Sequence, residues 1–270
     1  MELEETTLGP LPVLAGGNGP PLLYLGGLLP VAGVDSGLAR RTAEVSMRPL
    51  ADIRRVVYAN RRPGLPKGVT MAELAADHAQ AVHALEAGPV DVVGVSTGGS
   101  IAQQLAVDHP QAVRRLVLIS TGCRLTPETR RMQARVAADV RQGRPERALV
   151  SVAVSVVLPP LEPPARLLAP LFSPLFRGLG DLADLAATIE AEDGFDLARA
   201  AETIAAPTLI VCGARDRFYP RPLVEETQRL IPGSRLHLVP RRGHLTAVGS
   251  TRAVAAIRGF LQHRSSGVEP

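Results

Sequence analysis

Gly94-Val95-Ser96-Thr97-Gly98 is a place in the chain where residue types and spacing could do covalent chemistry. A serine hydroxyl is a weak nucleophile until a base takes its proton and donors stabilise the oxyanion that forms. The pentapeptide suits that need. Glycines at both ends let the chain turn sharply from strand to helix, leave the serine exposed on the turn, and aim the next N–H, that of Thr97, at a reacting carbonyl. Val92-Val93 before it reads as β-branched strand, and Gly98-Gly99-Ser100-Ile101-Ala102-Gln103 after it opens a helix whose N-terminal dipole favours negative charge. Taken alone the motif is weak, because a glycine-rich strand–helix turn can also be structural or cradle a phosphate.

The rest of the chain supplies an acid and a base in the order Ser…Asp…His, each just after an expected strand. Asp216, in Gly213-Ala214-Arg215-Asp216, follows the apolar run Thr208–Cys212 and so falls at the carboxyl edge of a sheet, where sites of open α/β sheets gather. Its bland alternative is to cap the helix near Pro222 or to pair with Arg215 or Arg217. Asp139, Asp181, Asp184 and Asp196 fall outside the strand–helix rhythm, and Ser120-Thr121-Gly122 has no carboxylate. His244, in Gly243-His244-Leu245, lies between the run Arg235–Val239 and a final helix; His78, His83, His109, His237 and His263 lie within helices, a strand or the tail. A second oxyanion donor is expected from Leu25-Gly26-Gly27-Leu28, through the N–H of Gly27 or of Leu28.

Short apolar runs bounded by turn residues position these groups: Leu22–Leu25, Arg55–Ala59, Asp91–Val95, Arg115–Ile119, Thr208–Cys212 and Arg235–Val239. Helical patterns between most of them argue for a mostly parallel sheet flanked by helices on both faces. Thr70-Met71-Ala72-Glu73 is a capping box that starts a helix running to about Ala87. Between Cys123 and about Ala205 the rhythm gives way to a helical, proline-punctuated stretch, too long for a structureless loop. The expected division is a core of residues 1–122 and 206–270 with a helical cap, 123–205, inserted in it. Val157, Leu158, Leu171, Phe172 and Phe176 in that cap are the candidates to line a pocket for an apolar substrate portion.

With 270 residues, 46% hydrophobic and 21% charged, one folded domain is expected. The net charge of +4 comes from scattered arginines, Lys67 being the only lysine, and there are only five Phe and three Tyr for base stacking. A solvated surface is therefore expected, with no nucleic-acid partner. Two cysteines make no disulfide framework. An acidic start and the absence of a long apolar stretch point away from a secretory signal or a membrane and toward the cytoplasm. The six histidines show no metal-ligand spacing, so neither metal nor cofactor is expected. A homodimer is compatible with the sequence.

From Leu22 to Leu261 the pattern resembles the α/β-hydrolase fold superfamily, in particular its serine esterase, cofactor-free haloperoxidase and C–C hydrolase branches. The resemblance implies an eight-stranded, mainly parallel sheet, a catalytic triad of Ser96, Asp216 and His244, and a cap after the sixth strand. Three features depart from the family. Leu25 or Gly26 replaces the histidine of the oxyanion loop, the segment before Leu22 is short enough that an early strand is expected to be missing or reduced, and Asn60-Arg61-Arg62-Pro63-Gly64 replaces the usual Asp-x-x-Gly. Serine at the turn, where epoxide hydrolases and haloalkane dehalogenases carry aspartate, argues against those reactions. The leading expectation is hydrolysis of an ester, thioester or related acyl bond of a hydrophobic small molecule. An acyltransferase, lyase or cyclase using the same triad, and a non-catalytic ligand-binding protein, are the alternatives.

Overall fold

The computed structural model describes residues 1–155 and 182–263. Its eight strands among the described residues are β1 (Glu4–Leu8), β2 (Leu11–Gly16), β3 (Pro21–Leu25), β4 (Arg55–Ala59), β5 (Val90–Val95), β6 (Val113–Ile119), β7 (Thr208–Gly213) and β8 (Arg235–Val239). They form one sheet in the order β1-β2-β4-β3-β5-β6-β7-β8. β1 and β2 pair antiparallel, β2 runs antiparallel to β4, and every other pairing is parallel.

The opening hairpin corrects the expectation of a missing or reduced early strand. β1 pairs with β2 from Glu4 opposite Ala15 to Leu8 opposite Leu11. Neither strand carries a conventional signature: β1 is an exposed edge, Glu4-Glu5-Thr6-Thr7-Leu8, and β2 contains Pro12, which lacks a ladder donor. Tertiary pairing overrides both signals.

Alternation along the parallel strands builds two cores. Leu23, Leu25, Val92, Leu116, Leu118, Ile210 and Cys212 face one side, where α2 (Met71–Ala84), α3 (Thr97–Asp108) and α7 (Arg221–Leu230) pack. Leu22, Tyr24, Val93, Val117, Ile119, Leu209 and Val211 face the other, against α1 (Gly37–Met47) and α9 (Thr251–Gln262). Full burial of one such side chain contributes about 1.5–3 kcal/mol, against about 0–1 kcal/mol for an exposed ion pair. The two-sided core, not the many surface arginines, therefore fixes the strand ends. The capping box at Thr70 forms as expected, Glu73 N–H donating to Thr70 Oγ1 at 3.2 Å and Thr70 N–H to Glu73 Oε2 at 2.8 Å, although the helix stops at Ala84.

Between β6 and β7, α4 (Pro127–Arg141), α5 (Pro145–Ser155) and α6 (Ala183–Asp193) form a helical layer. Val136, Ala137, Ala148, Leu182, Leu185, Ala186 and Ile189 make its small core, and Leu28 from the loop after β3 packs against it. Val157, Leu158, Leu171, Phe172 and Phe176 lie outside the described residues. Among the described residues no helix is long and apolar enough to cross a membrane. Two arginines depart from the solvated surface expected of them. Arg54 is buried at the amino end of the sheet, where its Nε donates to Asp91 at 3.0 Å, and Arg61 is buried at the opposite end.

Candidate active site

Ser96 stands between β5 and α3 with φ 51° and ψ −121°, a conformation L-residues rarely adopt and one that holds the side chain out on the turn. The turn is pinned by Ser96 N–H donating to Ile119 O at 2.9 Å and by Gly99 N–H donating to Ser96 O at 2.7 Å. The flanking glycines are demanded by contact. A Cβ on Gly94 would lie 2.6 Å from Gly98 O and 2.7 Å from Ala102 Cβ, and one on Gly98 would run into the carbonyl oxygens of Leu25 and Gly26. Strand, helix and the loop after β3 thus meet with no room for a side chain at either position.

The structure brings Ser96, His244 and Asp216 together from three strand ends. His244 Nε2 is 3.0 Å from Ser96 Oγ, and His244 Nδ1 is 2.9 Å from Asp216 Oδ2. With Nδ1–H donated to the carboxylate, Nε2 is left to accept from the serine hydroxyl. Asp216 is buried at the end of the β7 loop, and its Oδ1 accepts from the N–H groups of Phe218 at 2.9 Å and Tyr219 at 3.1 Å. The same carboxylate therefore also organises the turn into α7, a local role alongside its bond to the histidine. His244 begins α8 (His244–Val248); its ring lies 4.9 Å from that of Phe218 and stacks on that of Tyr219 at 5.9 Å. Its backbone carbonyl accepts from Ser120 Oγ at 3.1 Å, so the loop after β6, which lacks a carboxylate, still helps to place this residue.

Thr97 is the first residue of α3, so its N–H belongs to the unpaired donors of a helix N-terminus beside the serine. Gly27 faces the same point: a Cβ built on it would lie 3.6 Å from Ser96 Cβ and 3.5 Å from Val95 O. Leu28 follows and carries its side chain into the helical layer. With no histidine in this loop, two polar residues after β4 hold it instead. Asn60 Nδ2 donates to Val31 O at 2.9 Å, and Arg61 Nη2 donates to Leu29 O at 2.7 Å while Asn60 Oδ1 accepts from Arg61 N–H at 2.8 Å. Burial pushes the Arg61 guanidinium down to about 10. A cavity of about 10 Å³, the size of one water, lies behind the loop between Gly27, Arg61, His78 and Thr97.

Glu192, on α6, escapes a reading of motifs. It is completely buried; Oε2 accepts from Thr97 Oγ1 at 2.9 Å and Gln133 Nε2 at 3.1 Å, and Oε1 accepts from Ser100 Oγ at 2.8 Å and Tyr219 OH at 3.3 Å. Burial pushes its carboxyl up, and these four donors pull it back. The available signal is periodicity. Leu185, Ile189 and Glu192 fall on one helical face, so a carboxylate occupies a core position. A larger cleft, about 830 Å³, opens between α4, α5 and the β7 loop, with Arg135, Met132, Val150, Asp216 and Phe218 among its walls. Cys123 and Cys212 are both free and buried, and burial raises both thiols. No cluster of metal-ligating side chains occurs among the described residues.

A family model described as the alpha/beta hydrolase family matches residues 22–257. A Klebsiella pneumoniae protein that bears the name carbamate hydrolase RutD is 30% identical over 184 residues, 67% of this chain and 68% of its own length. The pimeloyl-[acyl-carrier protein] methyl ester esterase of Neisseria meningitidis serogroup B is 27% identical over 181 residues, 64% of this chain and 69% of that protein. Among solved structures, a hydrolase from Pseudomonas aeruginosa PA01 superposes with a TM-score of 0.76 at 25% identity, covering 97% of this chain and 98% of the other.

Proposed function

This chain belongs to the alpha/beta hydrolase family, and from that premise we propose that it is a serine hydrolase acting on an ester, thioester or related acyl bond of a small molecule with an apolar portion. The observation that carries the proposal is the pair of bonds on one imidazole, 3.0 Å to Ser96 Oγ and 2.9 Å to Asp216 Oδ2. In this reading Ser96 attacks the carbonyl carbon as His244 Nε2 takes the hydroxyl proton, and Asp216 keeps Nδ1–H oriented and stabilises the imidazolium. The N–H of Thr97 and one from the Gly27-Leu28 turn receive the oxyanion. His244 then gives its proton to the leaving group. Water, deprotonated by the same imidazole, attacks the acyl-enzyme, and as the intermediate collapses the imidazolium returns that proton to Ser96 Oγ, releasing the acid and the free serine.

The helical layer serves as a cap over the site, and the cleft between α4, α5 and the β7 loop takes the acyl portion. The carbamate and methyl ester relatives, which by name cleave acyl–heteroatom bonds, support the substrate class. The free thiols of Cys123 and Cys212 support a reducing compartment such as the cytoplasm.

The test is a fluorophosphonate probe with a panel of p-nitrophenyl esters. Stoichiometric labelling that maps to Ser96 is expected, with labelling lost and turnover down by about 10⁴-fold or more in Ser96→Ala. Wild-type protein that neither labels nor turns over any ester would overturn the reading in favour of a ligand-binding protein.

A further inference from the structure

Glu192 has no part in the chemistry just described, yet two of its four partners lead directly to the reacting groups. Thr97 follows the nucleophile and carries an oxyanion N–H; its side chain is held at 2.9 Å by Glu192 Oε2. Tyr219, held at 3.3 Å by Oε1, donates its own N–H to Asp216 at 3.1 Å and stacks its ring on His244 at 5.9 Å. Ser100 on α3 and Gln133 on α4 complete the set, so one carboxylate joins α6, α4, the nucleophile helix and the acid loop. Leu185 and Ile189 on the same face of α6 are already buried and supply apolar anchoring for the helix. An apolar residue at position 192 would avoid the cost of desolvating a carboxyl group, and what the carboxyl adds is direction. Burial, with Glu192's charge beside it, raises the Tyr219 phenol well above its ordinary value and keeps it a donor.

We propose that Glu192 is a positioning residue for the reaction at Ser96, fixing from the helical layer both the Thr97 side of the oxyanion site and the Tyr219 ring that backs His244. The inference rests on the serine hydrolase reading above. In Glu192→Gln the shape is kept while one acceptor oxygen becomes a donor, which forces Thr97 or Ser100 to turn its hydroxyl; in Glu192→Leu all four bonds are lost. A fall in kcat of about tenfold is expected for Glu192→Gln and about 100-fold for Glu192→Leu, with KM changed less than about threefold and the rate of fluorophosphonate labelling falling in parallel.

In a Thr97→Val background Glu192→Gln should cost less than it does in the wild type, since one of the two routes it acts through is already gone while the bond to Tyr219 remains. Folded Glu192 variants that keep kcat and labelling rate within twofold overturn the proposal. So do losses confined to KM, or effects of Glu192→Gln and Thr97→Val that multiply. Should the Glu192 variants fail to fold, Thr97→Val is expected to retain at most a tenth of the kcat of Thr97→Ser, which keeps a hydroxyl for the carboxylate, and equal rates overturn the proposal. The two readings fail differently: turnover surviving in Ser96→Ala sinks the hydrolase reading, whereas a dead Ser96→Ala beside a fully active Glu192→Gln sinks the role of Glu192 alone.

Discussion

At the scale of single residues, Asp216 holds the turn into α7 and, in the proposed mechanism, also acts through His244. The two sets of bonds use different oxygens, Oδ1 to two backbone N–H groups and Oδ2 to the imidazole. They separate on substitution. Asparagine at 216 can still accept from Phe218 and Tyr219 but no longer stabilises an imidazolium, so Asp216→Asn should fold normally and lose about 10³–10⁴-fold in kcat with KM little changed. Steady-state ester hydrolysis beside a thermal melt checks this, and an Asp216→Ala protein of undiminished activity would remove Asp216 from the mechanism. Ser96, Asp216 and His244 were legible because each carries a local mark: a glycine-flanked serine, and an acid and a histidine placed just past apolar runs. Glu192 and Arg61 carry none, because burial of a charged side chain depends on partners remote in the chain, such as Thr97, 95 positions from Glu192, and Leu29, 32 from Arg61.

At the scale of elements, β5, the turn and α3 act as one part. A methyl group at Gly98 meets the Leu25 and Gly26 carbonyls, so Gly98→Ala has to push α3 and the loop after β3 apart. Overpacking of this kind costs about 1–3 kcal/mol. Gly98→Ala should therefore lower the urea midpoint and, because the displaced loop carries Gly27 and Leu28, lower kcat as well. Unchanged stability and rate would show that the loop yields without consequence for the site. The six parallel strands, β3 to β8, were legible from β-branched and leucine runs, and their ends shifted by no more than two residues, as with β6, read from Arg115 and observed from Val113. The hairpin β1–β2 and helix α1 were not. An exposed acidic edge strand, a strand containing proline and a helix with no acidic residue in its first turn offer little local signal.

At the scale of the whole molecule, stability and substrate size are the testable consequences. His78 is buried in α2 with Nδ1–H donated to Leu74 O at 2.7 Å, and burial holds its imidazole below the ordinary value of 6.5. Below pH 6.5 the unfolded chain takes up a proton that the native protein refuses, so this contribution is complete above pH 6.5 and is lost as the pH falls, by at most about 1.4 kcal/mol per pH unit. Unfolding midpoints between pH 7 and 5 should fall more steeply for the wild type than for His78→Leu, and parallel curves would refute it. If the cleft of about 830 Å³ receives the acyl chain, each added methylene should raise kcat/KM about fourfold, the equivalent of about 0.8 kcal/mol, until the chain meets the wall. A flat p-nitrophenyl ester series would place the acyl chain elsewhere. What the sequence by itself determined is the α/β class, the six parallel strands along the chain and the three residues just past the ends of β5, β7 and β8, since apolar period and glycine placement are local properties. The tertiary structure alone decided that the opening hairpin extends the sheet, that Asn60 and Arg61 hold the loop beside Ser96, and that Glu192 lies against Thr97. Each of these depends on which distant segments pack together, because a buried polar group is stable only where the rest of the chain brings it partners.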